Sequence, residues 1–456
     1  MIDTNLPAFE SDLREVLNMF SNDDAVLIRH RFTEGENKFV NTVTINGKVF
    51  AYGNLVNNTD DQIVKKRLIK RYAKLSLYKG LSKYFDKQLP WGALTGIRPT
   101  KLAYQQIEET GEFESFFKDT MKVSEEKTSL IKRIINTQKG IYEKNDENTD
   151  FFAFIPFCPS RCKYCSFISA DIKSARKYVD KYVDALVDEI NYSARFVKKL
   201  HSIYIGGGTP ISLSNQQLKR VLCAIDKINT GVEYTVEAGR PDCITKENLK
   251  MLKDFGVTRI CINPQSFHNK TLKLLGRSHT AEDVIEKYQM AKEHFDINMD
   301  LIAGLTGESF NDFKFSIDKA IELSPENITV HTLCIKKGSY LAEETDRLSG
   351  EQVEKMVEYA HKTLGEKGYS PYYLYRQKYM AGNLENVGYA KPNKACKYNV
   401  SIMEEIAQNV ACGANAISKR VFDGGERIER VASPKDVLTY LDKLERIKEQ
   451  KSKLFI

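Results

Sequence analysis

No stretch of this chain approaches the roughly 18 consecutive apolar residues that a membrane-spanning helix needs. The N-terminal run MIDTNLPAFESDLREV is acidic and polar where an export leader would be basic and then apolar, so the chain is expected to stay in the cytoplasm. A large excess of charge of one sign is also lacking. A formal net charge of +7 over 456 residues does not by itself indicate nucleic acid, though it is compatible with an anionic ligand. Nine cysteines without an export signal predict reduced thiols rather than a disulfide framework. Six of them (Cys223, Cys243, Cys261, Cys334, Cys396, Cys412) are scattered, mostly in apolar contexts such as VLCAI and RICIN, and most are read as core.

What is present divides the chain. Residues 1–147 read as a small α/β unit: a helix near 8–20, strands near 25–32, 37–45 and 48–55, and a basic helix in VKKRLIKRYAKLSLYKGLSKYFDK, residues 64–87. The apolar positions Val64, Leu68, Tyr72, Leu75 and Tyr78 follow helical spacing there and leave the cations outside. A solvated helix face is preferred over an RNA footprint. PWGALTGIRPTKL, 90–102, punctuates the pattern before more helix. The charged run EKNDENTD, 143–150, reads as a linker.

From 151 onward strands at 151–156, 202–206, 233–238, 258–263, 297–303 and 327–333 alternate with helices at 174–198, 215–228, 245–254, 280–294 and 309–322. That rhythm predicts parallel βα units, in a doubly wound sheet or a full or partial (β/α) barrel. Ligands bind at the carboxyl ends of such strands, and there the unusual residues recur. A cysteine loop follows the first strand, IGGGTP the second, VEAGRP ends the third, NPQSF follows the fourth, Asp300 lies in the fifth and His331 near the end of the sixth.

The loop FIPFCPSRCKYC holds Cys158, Cys162 and Cys165. With no fourth Cys or His in the next thirty residues it lacks zinc-finger spacing. A catalytic zinc with three thiolates stays open, although no HxE-type partner precedes it. Three thiolates can instead hold three corners of a [4Fe–4S] cluster and leave one iron free to chelate a small molecule. Gly206, Gly207 and Gly208 would let backbone approach a ligand and aim N–H groups at a carboxylate.

CxxxCxxC with Tyr164 before the last cysteine resembles the radical S-adenosylmethionine (SAM) superfamily. The resemblance implies that the open iron binds the amino and carboxylate groups of SAM. Over residues 150–420 it narrows to the oxygen-independent coproporphyrinogen III oxidase family and its coproporphyrinogen dehydrogenase-like branch. It then implies SAM contacts from Gly207, Gly208 and Thr209, from Glu237, from Gln265 in PQSFHNKTLKLLGR with Arg277 at its end, and from Asp300 in MDLIAGLTGES. Phe152, Cys334 and Ile417 (in GANAIS) fall at further family contact positions, and one or two SAM molecules are implied. In chemical terms Tyr164 can pack on adenine, Glu237 and Asp300 can accept from ammonium or hydroxyls, and Arg277 can bind a carboxylate.

The fold implied is a partial (β/α) barrel of the radical SAM type at 148–340, with the N-terminal α/β domain before it and a C-terminal α+β extension, 341–456, on the substrate side. The activity implied is oxidative decarboxylation of coproporphyrinogen III propionates to vinyl groups, through a 5′-deoxyadenosyl radical and an electron donor such as flavodoxin or ferredoxin. Arg376, Lys378 and Lys391 in YYLYRQKYMAGNLENVGYAKPNK are candidate partners for the propionates. The chain departs from the family pattern where Phe152 and Phe154 replace a tyrosine and a histidine, which removes a candidate proton carrier. It departs again where Ser166 and Phe167 follow the triad in place of a further cysteine. Alternatives are a haem chaperone with His331 as a conceivable axial ligand, another radical SAM reaction on a tetrapyrrole or on RNA, and a structural zinc protein.

Overall fold

Five helix starts from residue 214 onward are written into short polar motifs. Ser214, Thr245, Thr280, Ser309 and Ser349 each accept from the amide three residues on, and Gln217, Asn248, Asp283, Asp312 and Gln352 reach back to the capping residue's own amide. Each such box answers two of the amides a helix start leaves unpaired. The computed structural model describes residues 2–21, 23, 25–56, 61–96, 98–165, 170–334, 348–377, 380–425 and 427–456. They form two units, Met1–Lys132 with Gly382–Leu384, and Arg133–Ala381 with Glu385–Ile456.

The first unit contains β1 (Ile2–Thr4), α1 (Glu10–Asn18), β2 (Ile28–Gly35), β3 (Lys38–Ile45), β4 (Lys48–Leu55), α2 (Gln62–Phe85) and α3 (Pro99–Thr110), and α4 (Glu125–Thr137) carries the chain across the division. Its sheet runs β1-β2-β3-β4, with β1 parallel to β2 and the rest antiparallel. β1 was not anticipated, because three residues carry too little alternation to read. The basic helix forms, but its apolar stripe is buried only from Ala73 onward, through Leu75, Tyr78 and Leu81, while Val64 is exposed.

The second unit starts with β5 (Asn148–Ile155), the short pair β6 (Phe157–Cys158) and β7 (Ala170–Asp171), and α5 (Arg176–Ser193). There follow β8 (Lys199–Gly207), α6 (Asn215–Asp226), β9 (Glu233–Val236), α7 (Lys246–Asp254), β10 (Arg259–Cys261), α8 (Asn269–Leu274), α9 (Ala281–Ala291), β11 (Asp296–Ala303), α10 (Phe310–Leu323) and β12 (Asn327–Thr332). The chain ends in α11 (Gly350–Glu366), β13 (Ser370–Tyr375), β14 (Asn386–Ala390), α12 (Lys397–Glu404), β15 (Gln408–Cys412), β16 (Ile417–Phe422), β17 (Arg427–Ala432), α13 (Val437–Asp442) and α14 (Leu444–Phe455).

Eleven strands make one sheet, ordered β13-β14-β12-β11-β10-β9-β8-β5-β15-β16-β17. The six anticipated strands lie side by side and parallel, and β15 adds a seventh parallel neighbour beyond β5. Antiparallel strands extend both flanks. Among the described residues β13 and β17 do not pair, so the α/β sheet is open rather than a closed barrel.

One boundary differs from the sequence reading for a physical reason. Asn148, Thr149 and Asp150 close the polar run expected to be a linker, yet they begin β5 and are buried. The Asp150 carboxylate is what makes this tolerable: it pairs with His201 at 2.9 Å, accepts from Ser202 at 2.5 Å and accepts from the Ser401 hydroxyl. Among the described residues no helix is long and apolar enough to cross a membrane.

Candidate active site

The cysteine loop leaves β5 and is stitched to the strand ends around it. Gly208 and Thr209 donate their amides to Ile155 and Phe157 carbonyls at 2.8 and 2.7 Å, and Lys163 donates to the Leu275 carbonyl at 3.0 Å. Glycine is required at two places here. Gly207 sits at φ +118, and a Cβ on Gly208 would stand 2.5 Å from the Phe157 carbonyl oxygen and 2.9 Å from Cys158 Sγ. The glycine-rich turn therefore presses on the cysteine loop. The Gly208 and Thr209 amides are used there, where the sequence reading had aimed the turn's N–H groups at a ligand; the Gly207 amide meets Glu237.

A cavity of about 410 Å³ opens inside the curve of the parallel strands and is lined by all three cysteines. Period-two alternation places its wall: Thr235 and Glu237, Asn298 and Asp300, Thr329 and His331 all face inward. Tyr164, Gly207, Gly208, Thr209, Glu237, Gln265, Arg277, Asp300 and Cys334, anticipated from the sequence, all line it. Gln265 holds a left-handed backbone, φ +66, between two ladder bonds to β11: its amide donates to Asp300 at 2.8 Å and its carbonyl accepts from Ile302 at 3.1 Å. Such strain in a non-glycine residue concentrates at functional sites.

The polar groups are mutually oriented. Arg277 is fixed by donating to the Gly239 and Asn263 carbonyls at 2.9 and 2.8 Å and to the Tyr164 hydroxyl at 3.0 Å. Tyr204 donates to Glu237 at 2.7 Å. Burial pushes the Glu237 carboxyl up to about 7; the Asp300 charge adds to the rise, while Tyr204, the Gly207 amide and His331 oppose it. Burial also acts to raise Asp300, but His331, Asn298 and Thr329 outweigh it and hold that carboxyl below its ordinary value. Asn298 donates to Asp300 at 2.7 Å, His331 Nε2 stands 3.6 Å from it, and Tyr375 meets His331 Nδ1 at 3.3 Å.

Other anticipated positions lie off the cavity wall. Phe152 stacks on Tyr398 at 6.0 Å, and Phe154 is buried against Ala411 and Ala416. Ile417 starts β16 at 43% exposure. Arg376 is buried, and Lys391 donates to the Ser324 carbonyl at 2.6 Å on the surface. Lys378, Ser166 and Phe167 lie outside the described residues. Of the cysteines read as core, Cys261 and Cys396 are buried but face the cavity, and Cys223 is exposed. Arg240, Tyr204 and Tyr375 line the cavity without having been singled out; the available signals were VEAGRP and the alternation leading into GGG.

The radical SAM superfamily model matches residues 152–320. The oxygen-independent coproporphyrinogen-III oxidase-like protein HemZ of Bacillus subtilis (strain 168) is 38% identical over 383 residues, covering 80% of this chain and 76% of HemZ. The chain belongs to the radical SAM superfamily and its oxygen-independent coproporphyrinogen III oxidase-like family. The heme chaperone HemW of Lactococcus lactis subsp. lactis (strain IL1403) is 34% identical over 49% of this chain and 60% of HemW, so the chain spans about three fifths of that relative. Coproporphyrinogen III oxidase (HemN) from Escherichia coli shares the fold, with a TM-score of 0.55 and 21% identity over 68% of this chain and 72% of that one.

Radical SAM membership implies a [4Fe–4S] cluster and SAM, and the residues present fit both. Cys158, Cys162 and Cys165 share one loop and one cavity, and their sulfurs meet donors: the Thr209 hydroxyl stands 3.6 Å from Cys158 Sγ, and Arg240 and Arg277 stand 3.8 and 3.9 Å from Cys162 Sγ. Among the described residues no three Cys, His, Asp or Glu side chains gather around a single-ion position. Three cavity-lining groups are buried without a hydrogen-bond partner, Gln265 Oε1, Thr235 Oγ1 and Arg277 Nε. Buried polar atoms of this kind call for a polar ligand or water.

Proposed function

We propose that this radical SAM protein oxidatively decarboxylates the propionates of coproporphyrinogen III to vinyl groups, giving protoporphyrinogen IX in anaerobic porphyrin and haem synthesis. The observation that carries the reading is the 38% identity to HemZ over 76% of its length. The cavity adds support, because tyrosines of the C-terminal strand β13 (Tyr372, Tyr373, Tyr375) line it together with the three cysteines. When bound, the cluster and SAM supply one-electron reductive cleavage and hydrogen-atom abstraction. Arg277 and Glu237 would orient SAM through its carboxylate and amino groups, and Asp300 would take its hydroxyls. Each propionate gives up a hydrogen atom, which 5′-deoxyadenosine retains, its carboxylate as carbon dioxide, and one electron, which passes to a one-electron acceptor that the reaction requires besides the donor. A flavodoxin or ferredoxin as donor, a cytoplasmic site of action and the division into accessory (1–147), radical SAM (148–340) and substrate-side (341–456) regions belong to the same proposal.

The test is an anaerobic incubation of the iron–sulfur-reconstituted protein with SAM, a reductant, a one-electron acceptor and coproporphyrinogen III. The expected result is 5′-deoxyadenosine and protoporphyrinogen IX rising together; 5′-deoxyadenosine without protoporphyrinogen removes this substrate. The identity to HemW favours haem binding as the second reading, with His331 and Tyr375 at the cavity as candidate ligands. Stable haem binding, with SAM cleavage indifferent to porphyrinogen, would move that reading to the front.

The acidity of Glu237 gives a pH signature. In the ligand-free protein its carboxyl, raised from the ordinary 4.5 to about 7, keeps a proton that the unfolded chain has already lost. Its contribution to stability is therefore complete below about 4.5 and disappears as pH rises through about 7. A SAM amino group donating to it favours the ionised form, so affinity for SAM is expected to rise between about pH 6 and about pH 8. Glu237→Gln is expected to flatten that rise in calorimetric titrations, and a wild-type slope in the variant would detach Glu237 from the amino group.

A further inference from the structure

Arg240 has a position that the family's SAM contacts do not explain. Its side chain is 4% exposed, and its Nε and Nη2 donate to the two oxygens of Asp242 at 2.9 and 2.8 Å. Nη1 points the other way, to Ser160 Oγ at 3.1 Å and Cys162 Sγ at 3.8 Å. Behind the carboxylate, His279 Nδ1 stands 3.9 Å from Asp242. Burial, with the Arg277 charge helping, pushes that imidazole down to about 3, so it stays neutral and leaves the Asp242 charge committed to Arg240. The pair is a fixed dipole whose positive end faces the sulfur of Cys162.

We propose that Arg240, braced by Asp242, is a positioning residue for the iron–sulfur cluster that orients Cys162 and favours the cluster's reduced state. The inference rests on a cluster at Cys158, Cys162 and Cys165 and not on the tetrapyrrole reading. Reduction adds a negative charge to the cluster, and hydrogen bonds to its sulfurs together with nearby positive charge stabilise that state. Burial leaves the effect weakly screened by salt.

The test is a potentiometric titration of the reconstituted wild type, Arg240→Gln and Asp242→Asn, followed by the spectrum of the reduced cluster, with iron and sulfide counted in each. Arg240→Gln is expected to lower the ratio of reduced to oxidised cluster at a fixed potential about tenfold, which is about 59 mV for a one-electron couple. Asp242→Asn removes the opposing charge and is expected to move the ratio upward. A purely structural anchor would not give shifts of opposite sign. A fully loaded Arg240→Gln at the wild-type potential overturns the proposal. Should that variant take up no cluster, Asp242→Asn decides alone: an upward shift supports the proposal, and an unchanged or lower potential overturns it. A wild type that takes up no iron and sulfide would remove the cluster assignment itself, and the proposal with it.

Discussion

Replacing Cys162 by alanine is expected to give a folded protein that holds no intact [4Fe–4S] cluster and forms no 5′-deoxyadenosine from SAM. Cys162 is the buried member of the triad, and two guanidinium groups address its sulfur. Without it one corner of the cluster loses its thiolate, and the positive ends of Arg240 and Arg277 face a space with no anion. Outer partners of metal ligands are worth about 10–100-fold in affinity or activity, and loss of a ligand is expected to exceed that. The fold should survive, since deleting one small buried sulfur falls in the ordinary range of roughly 0.5–3 kcal/mol. Iron and sulfide counts, the visible spectrum and a thermal melt of the apo-protein check the two halves separately. A full cluster in Cys162→Ala would mean that a fourth group is the true ligand.

Much of this site was legible because its chemistry needs residue types that ordinary folding does not place at strand ends. Three cysteines in FIPFCPSRCKYC and three glycines in IGGGTP stand out against apolar strands, and the alternation that marks β8, β9, β11 and β12 fixes which side chains share the interior. Glu237 and Gln265 could be placed at one rim because they sit at or just beyond the end of an anticipated strand; Asp300 lies within the fifth strand, and Arg277, beyond α8, was anticipated only through the family resemblance. The capping boxes explain why the helix starts were accurate to about a residue.

What escaped depends on partners far away in sequence. Asp150 looked like linker because its charge was visible and its partners His201, Ser202 and Ser401 were not. β15, whose residues Gln408–Cys412 pair with β5 across some 260 positions, has no following helix to complete the βα rhythm. Arg240 was visible in VEAGRP and Asp242 two residues on, but the approach of Arg240 to Cys162 appears only when the third strand and the cysteine loop are brought together. The glycines were read as letting backbone approach a ligand, and the close approach in the structure is to the cysteine loop, with Phe157 and Cys158 against Gly208.

The C-terminal helix is expected to be as necessary to the second unit as any strand. Lys451 on α14 is 1% exposed in its side chain and pairs at 2.7 Å with Glu189 on α5, whose side chain is fully buried. Lys451 also donates to Ser193 at 3.0 Å, and Glu189 accepts from Tyr440 at 2.6 Å and from the Gly413 amide at 2.7 Å. Lys451→Met removes the cation and leaves the carboxylate buried, which for a broken buried pair costs about 3–5 kcal/mol. Denaturant titration of the apo-protein should show that loss. The double variant with Glu189→Gln should recover part of it, because a neutral amide does not need the counter-charge. Consequences for the site follow from Tyr182, which accepts from the Ala414 amide at 3.0 Å and donates to the Phe154 carbonyl at 2.8 Å, four residues before Cys158. Loosening α14 therefore loosens the strand that delivers the cysteines, so cluster retention in Lys451→Met should fall together with stability. A wild-type midpoint in Lys451→Met would show that the pair is not closed in solution, and would remove α14 from the support of the cysteine loop.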